Sequence, residues 1–285
     1  MLKQNVLNKI TLLSVFLLVA CQNVKQPKVS LVKIDPPVTI DNSEQFTLYS
    51  SNTQQDYQIY IHLPTSYSRS DTTYPVYYQL DADIGFGIGS ETSKLLSFRN
   101  EMPEVILVGI AYGAYPGQEG NNRGRDYSPT AVAEYPKSGG AENFFRFIRD
   151  ELIPVIDLEY RTNPIDRTLS GASFGGLFSL YVLFEHPGIF NRYKISSPNL
   201  RWDNGVIFEY EKKYSEKHSD LPANVFLSVG DVEQRVKSWN KLVQILNDRN
   251  YKNLKLTTKI YYDAPHGTAC ILAGVRGIKA VFSDD

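Results

Sequence analysis

The chain has 285 residues, of which 42% are hydrophobic and 21% charged, and its formal net charge at pH 7 is −1. This length is enough for one large core, and the balanced charge excludes the strongly basic surface by which proteins bind nucleic acids. The two cysteines and four histidines have no spacing typical of metal ligands, so we expect no metal and no other cofactor.

Residues 1–20 have the pattern of a secretory signal peptide. Lys3 and Lys9 are basic, and the apolar stretch from 10 to 20 is too short to span a bilayer. It ends in Leu-Val-Ala-Cys, the form of a bacterial lipobox, which predicts cleavage before Cys21 and lipidation of its thiol. A plain secretory signal followed by a coincidental cysteine is the alternative.

Residues 21–44 are polar and contain proline, which predicts a tether between the lipid and a folded domain that spans 45–285. Gln22 is not the aspartate that commonly retains lipoproteins in the inner membrane. We therefore expect a cell-envelope protein anchored to the outer membrane through its N-terminal lipid and facing the periplasm. Lipidation would leave Cys270 as the only thiol, so we expect no intramolecular disulfide.

Strand-like and helix-like segments alternate along the rest of the chain. The predicted strands include 46–49, 57–63, 76–80 and 105–110, and the predicted helices include 141–157 and 239–246. The run 105–110 is almost continuously apolar, as is typical of a strand buried on both faces. Pro154 should kink or end the helix that contains it. The alternation predicts an α/β protein with a mostly parallel central sheet flanked by helices.

The segment 112–140 is long, polar and rich in glycine and tyrosine, which is typical of a functional or mobile loop. Its Arg125 could bind an anionic or catecholate-bearing substrate, or it could form a salt bridge with Asp126 or another neighbour. Later in the chain, Trp202 could line a pocket for an aromatic acyl group, or it could pack in the core.

The segment Gly-Ala-Ser-Phe-Gly at 171–175 has the form G-x-S-x-G and lies between a strand-like run and an apolar helix-like run. A serine on such a tight turn is the nucleophile elbow of α/β-hydrolases, and the helix N-terminus favours developing negative charge. The pattern predicts Ser173 as the nucleophile and the N–H of Phe174 as part of an oxyanion hole. The alternative is a glycine-rich packing turn with an inert serine.

Among the histidines, His266 has the position of a general base, because the triad order in α/β-hydrolases is serine, acid, histidine. It follows a late strand-like run and precedes a glycine. His62 comes before the serine and is interpreted as a strand-surface residue. His186 is interpreted as the cap of the helix after the elbow, and His218 as a solvated loop residue.

Two carboxylates compete for the role of the acid. A strand-like run ends at Gly230, and Asp231 and Glu233 follow it. Either could hold the imidazole in the correct tautomer and stabilise the imidazolium. A third alternative is that both are solvated turn residues and that the site is a Ser-His dyad.

Several motifs together resemble those of the α/β-hydrolase family named "Putative esterase". They are Pro-Val-x-Tyr-x-Leu-Asp at 75–81, the elbow with its additional Gly176, Ser197-Pro198 followed by Trp202, and Pro-His-Gly at 265–267. The family includes feruloyl and acetyl-xylan esterases, S-formylglutathione hydrolases, mycolyltransferases and siderophore-trilactone esterases. The resemblance covers residues 45–282. The segments 125–129 and 144–154 look most like the siderophore-trilactone esterase branch.

The resemblance implies an α/β-hydrolase fold and a serine esterase that needs no cofactor. In these esterases the acid commonly stands about three residues past the glycine, which favours Glu233 and leaves Asp231 in reserve, although some relatives use serine and histidine alone. By analogy the N–H of Asp83 would complete the oxyanion hole. This chain departs from the family at Ala82, where relatives usually have glycine.

These observations predict a lipid-anchored serine hydrolase that cleaves carboxylic esters. A siderophore or another aryl ester is the favoured small-molecule substrate, and an acylated carbohydrate is the next choice. The rival hypothesis is a catalytically inactive lipoprotein that keeps the fold in order to bind a ligand.

Overall fold

The structure is a computed structural model that describes residues 38–283. Residues from Ile40 onward form one compact unit. The strands in the described range are β1 (Ser43–Ser50), β2 (Gln55–His62), β3 (Tyr74–Gln79), β4 (Ile106–Ala111), β5 (Thr162–Ala172), β6 (Arg192–Ser196), β7 (Asp220–Gly230) and β8 (Lys252–Tyr261). The α-helices there are α1 (Ala82–Phe98), α2 (Arg123–Asp126), α3 (Ala141–Arg146), α4 (Ile153–Glu159), α5 (Phe174–Glu185), α6 (Val206–Ser215), α7 (Val236–Arg249) and α8 (His266–Phe282).

All the strands belong to one sheet with the order β1-β2-β4-β3-β5-β6-β7-β8. The pairs β1–β2 and β2–β4 are antiparallel, and the pairs from β4 through β8 are parallel. The predicted mostly parallel sheet is therefore confirmed. Because the carboxyl ends of parallel strands meet at one edge, the segments after β5, β7 and β8 are brought together there.

Helices cover both faces of the sheet. On one face α1 contacts α8, and α8 packs over β6 and β7. On the other face α5 packs over β5 and contacts α6. The adjacent residues Tyr77 and Tyr78 belong to different apolar clusters, one on each face, as alternation along a strand requires. Every residue of β4 is buried, which agrees with its apolar sequence.

Pro154 interrupts the helical segment that begins at Ala141. After α3 the backbone forms a π-helical turn, Phe147–Leu152, before α4 resumes with proline in its first turn. Proline donates no N–H and its ring clashes with the carbonyl four residues earlier, so the hydrogen-bond ladder must widen ahead of it. The prediction that Pro154 would kink or end the regular helix is thus confirmed as an interruption of the α-helix before the proline.

Two predictions of local structure, those for His62 and His266, were wrong, and one helix was missed. His62 is only 3% exposed, because α1 packs against β2 on the face that the polar residues of β2 present. No helix was predicted at α1, whose three glycines between 85 and 89 obscure its helical pattern. His266 begins α8 instead of lying within a loop.

The predicted signal peptide, the lipidation site Cys21 and most of the predicted tether lie outside the described residues. The last two residues of the predicted tether belong to β1, which starts at Ser43. Within residues 38–283 no helix is both long and apolar enough to cross a membrane.

Candidate active site

Ser173 lies on the sharp turn between β5 and α5, where it precedes the first residue of the helix. Its backbone angles, φ 57° and ψ −114°, are strained for a residue with a side chain. The turn is held by hydrogen bonds from the Ser173 N–H to Ser196 O and from the Leu177 N–H to Ser173 O, each 3.0 Å long. This is the geometry of a nucleophile elbow.

Gly171 allows the elbow to close. A Cβ atom at this position would lie 2.2 Å from the carbonyl oxygen of Gly175, so no other residue fits without moving the backbone. Gly175 is less constrained, because a Cβ atom there would meet its nearest neighbour, Asp81 Oδ2, at 3.4 Å. The tight packing of strand against helix therefore depends mainly on the first glycine of the motif.

Glu233 and His266 form a hydrogen-bonded pair next to the elbow. Glu233 Oε2 lies 2.7 Å from His266 Nδ1, and the glutamate side chain is only 4% exposed. A carboxylate accepts, so Nδ1 carries the proton and Nε2 of the neutral imidazole keeps its lone pair. Oε1 of Glu233 accepts from Ser197 Oγ at 2.5 Å and from the Gly230 N–H at 2.9 Å.

These contacts fix the charge of Glu233. Burial alone would raise the pKa of its carboxyl, but the hydrogen bonds from Ser197, Gly230 and His266 outweigh burial and lower the pKa. The carboxylate is therefore ionised at neutral pH and is held by donors on all sides. This arrangement also explains the Ser-Pro motif at 197–198, since Ser197 positions the acid.

Asp231 has a different role. Its Oδ1 accepts the Ala264 N–H at 3.3 Å, and its own N–H donates to Tyr261 O at 2.9 Å. These bonds hold the segment that precedes His266. No hydrogen bond between Asp231 and His266 is present among the described residues, so of the two competing carboxylates Glu233 is the one paired with the imidazole.

The N–H groups of the elbow helix are available to an oxyanion. Phe174 is the first residue of α5, and the first bond back to Ser173 O comes from Leu177. The N–H of Phe174 therefore has no role in the helix ladder. Across the site, Ala82 and Asp83 open α1, and the first bonds to Asp81 O come from residues 84 and 85.

The carboxylate of Asp83 holds the segment after β4. It accepts the N–H groups of Tyr112 and Gly113, both at 2.8 Å. The proposal that the Asp83 N–H contributes to the oxyanion hole remains a prediction, and the neighbouring N–H of Ala82 is an alternative donor.

Arg123 is a site residue that the sequence did not reveal. Its guanidinium forms a two-point salt bridge with Asp81, at 2.7 and 2.9 Å, and lies 5.7 Å from the ring centroid of Phe174. Asp81 itself has a left-handed backbone conformation at the start of α1. Arg123 thus joins the two loops that would form the oxyanion hole.

Arg125, which the sequence suggested as a substrate contact, pairs with residues outside this arrangement. Its Nε donates to the buried Asp126 at 2.6 Å and its Nη2 donates to Gln55 at 2.9 Å. Asp126 also accepts the hydroxyls of Tyr57 and Tyr112. The alternative interpretation, a structural salt bridge with Asp126, describes these contacts, and a substrate role for Arg125 stays a prediction.

Arg235 was also missed, and it occupies the centre of the site. Its Nη1 lies 3.3 Å from Ser173 Oγ, 2.9 Å from His266 Nδ1 and 3.1 Å from His266 Nε2. It also donates to Ser197 O at 3.0 Å and is 3.8 Å from Glu233 Oε2. The only sequence signal was a cation two residues after the acid.

A pocket of about 830 Å³ opens beside Phe174 and Arg235, and Trp202 forms one of its walls. The indole is 5% exposed, packs edge-on against Phe174 at 5.2 Å and donates to Thr130. Residues 131–135 of the long insertion line the same pocket. Trp202 is thus well buried and also faces the space next to the nucleophile. Among the described residues no cluster of side chains could hold a metal ion.

A parallel sheet that carries a serine on a strand-to-helix elbow is the architecture of α/β-hydrolases. Within that class the chain belongs to the family described as "Putative esterase", whose model matches residues 50–268. The family resemblance and the predicted class of enzyme, a serine esterase, are both confirmed.

The chain is similar to several esterases and to solved structures. It is 35% identical over 216 residues to the ferri-bacillibactin esterase BesA of Bacillus subtilis, which is 70% of this chain and 74% of that protein. It is 28% identical over 214 residues to a siderophore triacetylfusarinine C esterase of Aspergillus fumigatus, covering 71% of this chain and 72% of that one. The crystal structure of the BES protein from Bacillus cereus superposes with a TM-score of 0.80 at 30% identity, covering 89% of this chain and 99% of that chain.

Proposed function

We propose that this protein hydrolyses the ester bonds of a siderophore through a Ser173–His266–Glu233 triad. The observation that carries the proposal is the 2.7 Å pair of Glu233 and His266 beside a strained elbow serine. Similarity to two siderophore esterases supports the substrate class.

In the first half of the reaction, Ser173 Oγ attacks the ester carbonyl carbon while its proton passes to His266 Nε2. Glu233 accepts the Nδ1–H bond throughout and stabilises the imidazolium. Collapse of the tetrahedral intermediate breaks the bond to the alcohol, which takes the proton from Nε2 as it leaves. The acid part of the substrate remains attached to Ser173 as an acyl-enzyme.

In the second half, water attacks the acyl-enzyme and gives a proton to Nε2. The carboxylic acid is released when that proton returns to Ser173 Oγ. In both halves the negative oxygen would be bound by the Phe174 N–H and by an N–H from the start of α1. Preorganised donors of this kind stabilise charge that develops only in the transition state.

The pocket supports a large, aromatic substrate over a small acyl group. Its open volume of about 830 Å³ has room for a group much larger than acetyl, and its walls include Phe174, Trp202 and Tyr135. An acetyl group would leave most of this space empty. A catecholate siderophore could place an aromatic ring against Trp202 while its ester bond reaches Ser173.

The test compares hydrolysis of ferri-bacillibactin, triacetylfusarinine C and an acetylated xylo-oligosaccharide, with products identified by mass spectrometry. We expect the highest kcat/KM for a siderophore and loss of at least about a thousandfold in Ser173→Ala and His266→Ala, because triad members act as a unit. Preference for the acetylated sugar would favour the carbohydrate esterase. Tight siderophore binding without turnover, unchanged in Ser173→Ala, would favour the inactive binding protein.

A further inference from the structure

The position of Arg235 conflicts with the chemistry that the triad must perform. Before Ser173 can attack, its proton must pass to the lone pair of His266 Nε2. In this structure Arg235 Nη1 is 3.1 Å from Nε2 and 3.3 Å from Ser173 Oγ. Within residues 38–283 no hydrogen bond joins Ser173 directly to His266, so the guanidinium bridges the nucleophile and the base.

Two physical effects make this a resting arrangement and not a reactive one. Nη1 lies 2.9 Å from Nδ1 and 3.1 Å from Nε2, so it rests against the imidazole ring, and its contact with Ser173 Oγ stands where the serine–histidine hydrogen bond has to form. A guanidinium next to the ring also disfavours the imidazolium that forms when His266 accepts the proton. Arg235 must therefore move away from His266 before the proton can be transferred.

Arg235 has space into which it can move. Its side chain is 22% exposed, and it lies between the pocket of about 830 Å³ and a smaller one of about 320 Å³ that reaches His266. Arg201 lines both pockets as well. Burial lowers the pKa of Arg235, Glu233 raises it, and the nearby cations Arg201 and Arg123 lower it further.

The charges around Arg235 indicate what would draw it away. Glu233 attracts Arg235, whereas Arg201 and Arg123 repel it, so an incoming anion would compete with Glu233 for this side chain. Glu134 and Asp203 also line the larger pocket, so an anion is attracted only to the part of the pocket near Arg201 and Arg235. Guanidinium groups bind oxyanions such as carboxylates strongly because their N–H donors are planar and permanently charged.

We propose that Arg235 is a specificity-determining residue that restrains the triad until an anionic group of the ester substrate pairs with it. The proposal rests on the proposed esterase function and narrows its substrate class to esters that carry a negative charge near the scissile carbonyl. An anionic iron–catecholate complex meets this requirement. A neutral ester cannot release the restraint and reacts slowly.

The test uses two esters of equal leaving group, 4-nitrophenyl hydrogen adipate as the anionic substrate and 4-nitrophenyl heptanoate as the neutral one. We expect the wild type to favour the adipate. Arg235→Gln should raise kcat/KM for the heptanoate about tenfold and lower it for the adipate about tenfold, the range expected for one charged hydrogen bond. Arg235→Lys keeps the positive charge on a shorter side chain and should retain part of the preference for the adipate.

Lys237→Gln is the matched control, because it removes one cation from an exposed position in the first turn of α7, the helix that Arg235 directly precedes. It should leave the ratio of the two kcat/KM values unchanged. An equal fall for both esters in Arg235→Gln would identify Arg235 as an oxyanion stabiliser and overturn the proposal, as would equal rates in the variant and the wild type.

The same experiment separates this proposal from the one on which it rests. If Ser173→Ala loses all turnover and Arg235→Gln keeps the wild-type ratio, the esterase stands and the role of Arg235 is refuted. If neither the wild type nor Arg235→Gln hydrolyses any ester, both proposals fail. Circular dichroism of Arg235→Gln and Arg235→Lys shows whether either variant has lost its fold, and the folded variant then decides the outcome.

Discussion

Glu233 Oε2 lies 2.7 Å from His266 Nδ1, whereas Asp231, two residues earlier, bonds to the backbone of the segment before the histidine. The two carboxylates at this turn therefore have different roles. Glu233 accepts a hydrogen bond from the imidazole, and Asp231 holds the backbone segment that precedes it. Gly230 brings the two loops together, because a Cβ atom there would lie 1.9 Å from Ala264 O.

Glu233→Gln should therefore cost more activity than Asp231→Asn. We expect a loss in kcat of at least about a hundredfold for Glu233→Gln, since an amide cannot balance the imidazolium charge. Asp231→Asn keeps an oxygen that accepts the Ala264 N–H and should change kcat little. Steady-state kinetics on one ester measures both. The reverse ranking would make Asp231 the acid, and no effect from either would indicate a Ser-His dyad.

The pKa of Glu233 predicts a dependence of stability on pH. Its folded pKa is lowered, because hydrogen bonds from Ser197, Gly230 and His266 outweigh the effect of burial. The stabilisation is therefore fully present above the unfolded pKa of about 4.3 and is lost as pH falls through the lower folded value. Urea unfolding should show a gap between wild type and Glu233→Gln at pH 7 that narrows below about pH 4.

The exposed Glu119→Gln is the control for that measurement. Its free energy of unfolding should follow the wild type at each pH. A gap between wild type and Glu233→Gln that stayed constant into acid would show that the carboxylate is not stabilised in the fold.

Substitution of Arg123 should reduce activity, whereas substitution of Arg125 should reduce stability. Arg123→Gln frees Asp81 and the loop at the start of α1, so kcat should fall about a hundredfold, the lower end of the loss when one oxyanion donor is removed. Arg125→Gln leaves the buried Asp126 with its tyrosine partners only, and should cost about 1–3 kcal/mol of unfolding free energy with little change in kcat.

Kinetics well below the melting temperature and urea unfolding of both variants check this pair. A larger loss of kcat in Arg125→Gln than in Arg123→Gln would restore Arg125 as a substrate contact.

Local geometry explains why Ser173 could be predicted and Arg235 could not. The elbow needs a glycine at 171, where the Gly175 carbonyl approaches, and a helix directly after the serine. Residues that are contiguous in the sequence determine both features. Arg235 is one of 30 lysines and arginines, and its place between Ser173 and His266 depends on how three separate loops meet.

The same distinction applies to the fold. The apolar run of β4 predicts its own burial, but the burial of His62 depends on the helix that packs against it. That helix, α1, was hidden by its glycines, two of which make room for the side chain of Gln79. Long-range packing of this kind leaves no periodic signal in the strand that it covers.

Trp202 should affect large aryl esters more than small ones. Its indole packs on Phe174 at 5.2 Å, and an aromatic contact of this kind contributes about 0.5–1.5 kcal/mol. Trp202→Ala should therefore raise KM for 4-nitrophenyl benzoate, which has an aromatic acyl group, about threefold to tenfold and leave KM for 4-nitrophenyl acetate nearly unchanged. Trp202→Phe keeps the ring and should lie close to wild type. Equal changes for both esters would point to a general packing role.

The last prediction concerns where the protein is located. We propose that Cys21 carries a lipid and that the protein is anchored to the outer membrane, with Gln22 following the modified residue. Acyl chains contribute about 0.8 kcal/mol per buried CH₂, so a multiply acylated cysteine anchors the protein stably. Cys21→Ser should leave esterase activity unchanged, because Cys21 lies 22 residues before β1 begins at Ser43. It should move the protein from the membrane fraction to the soluble fraction.

Cys270→Ser is the control for loss of a thiol and should remain in the membrane fraction. A Cys21→Ser protein that still sediments with membranes after a high-salt wash would contradict lipid anchoring.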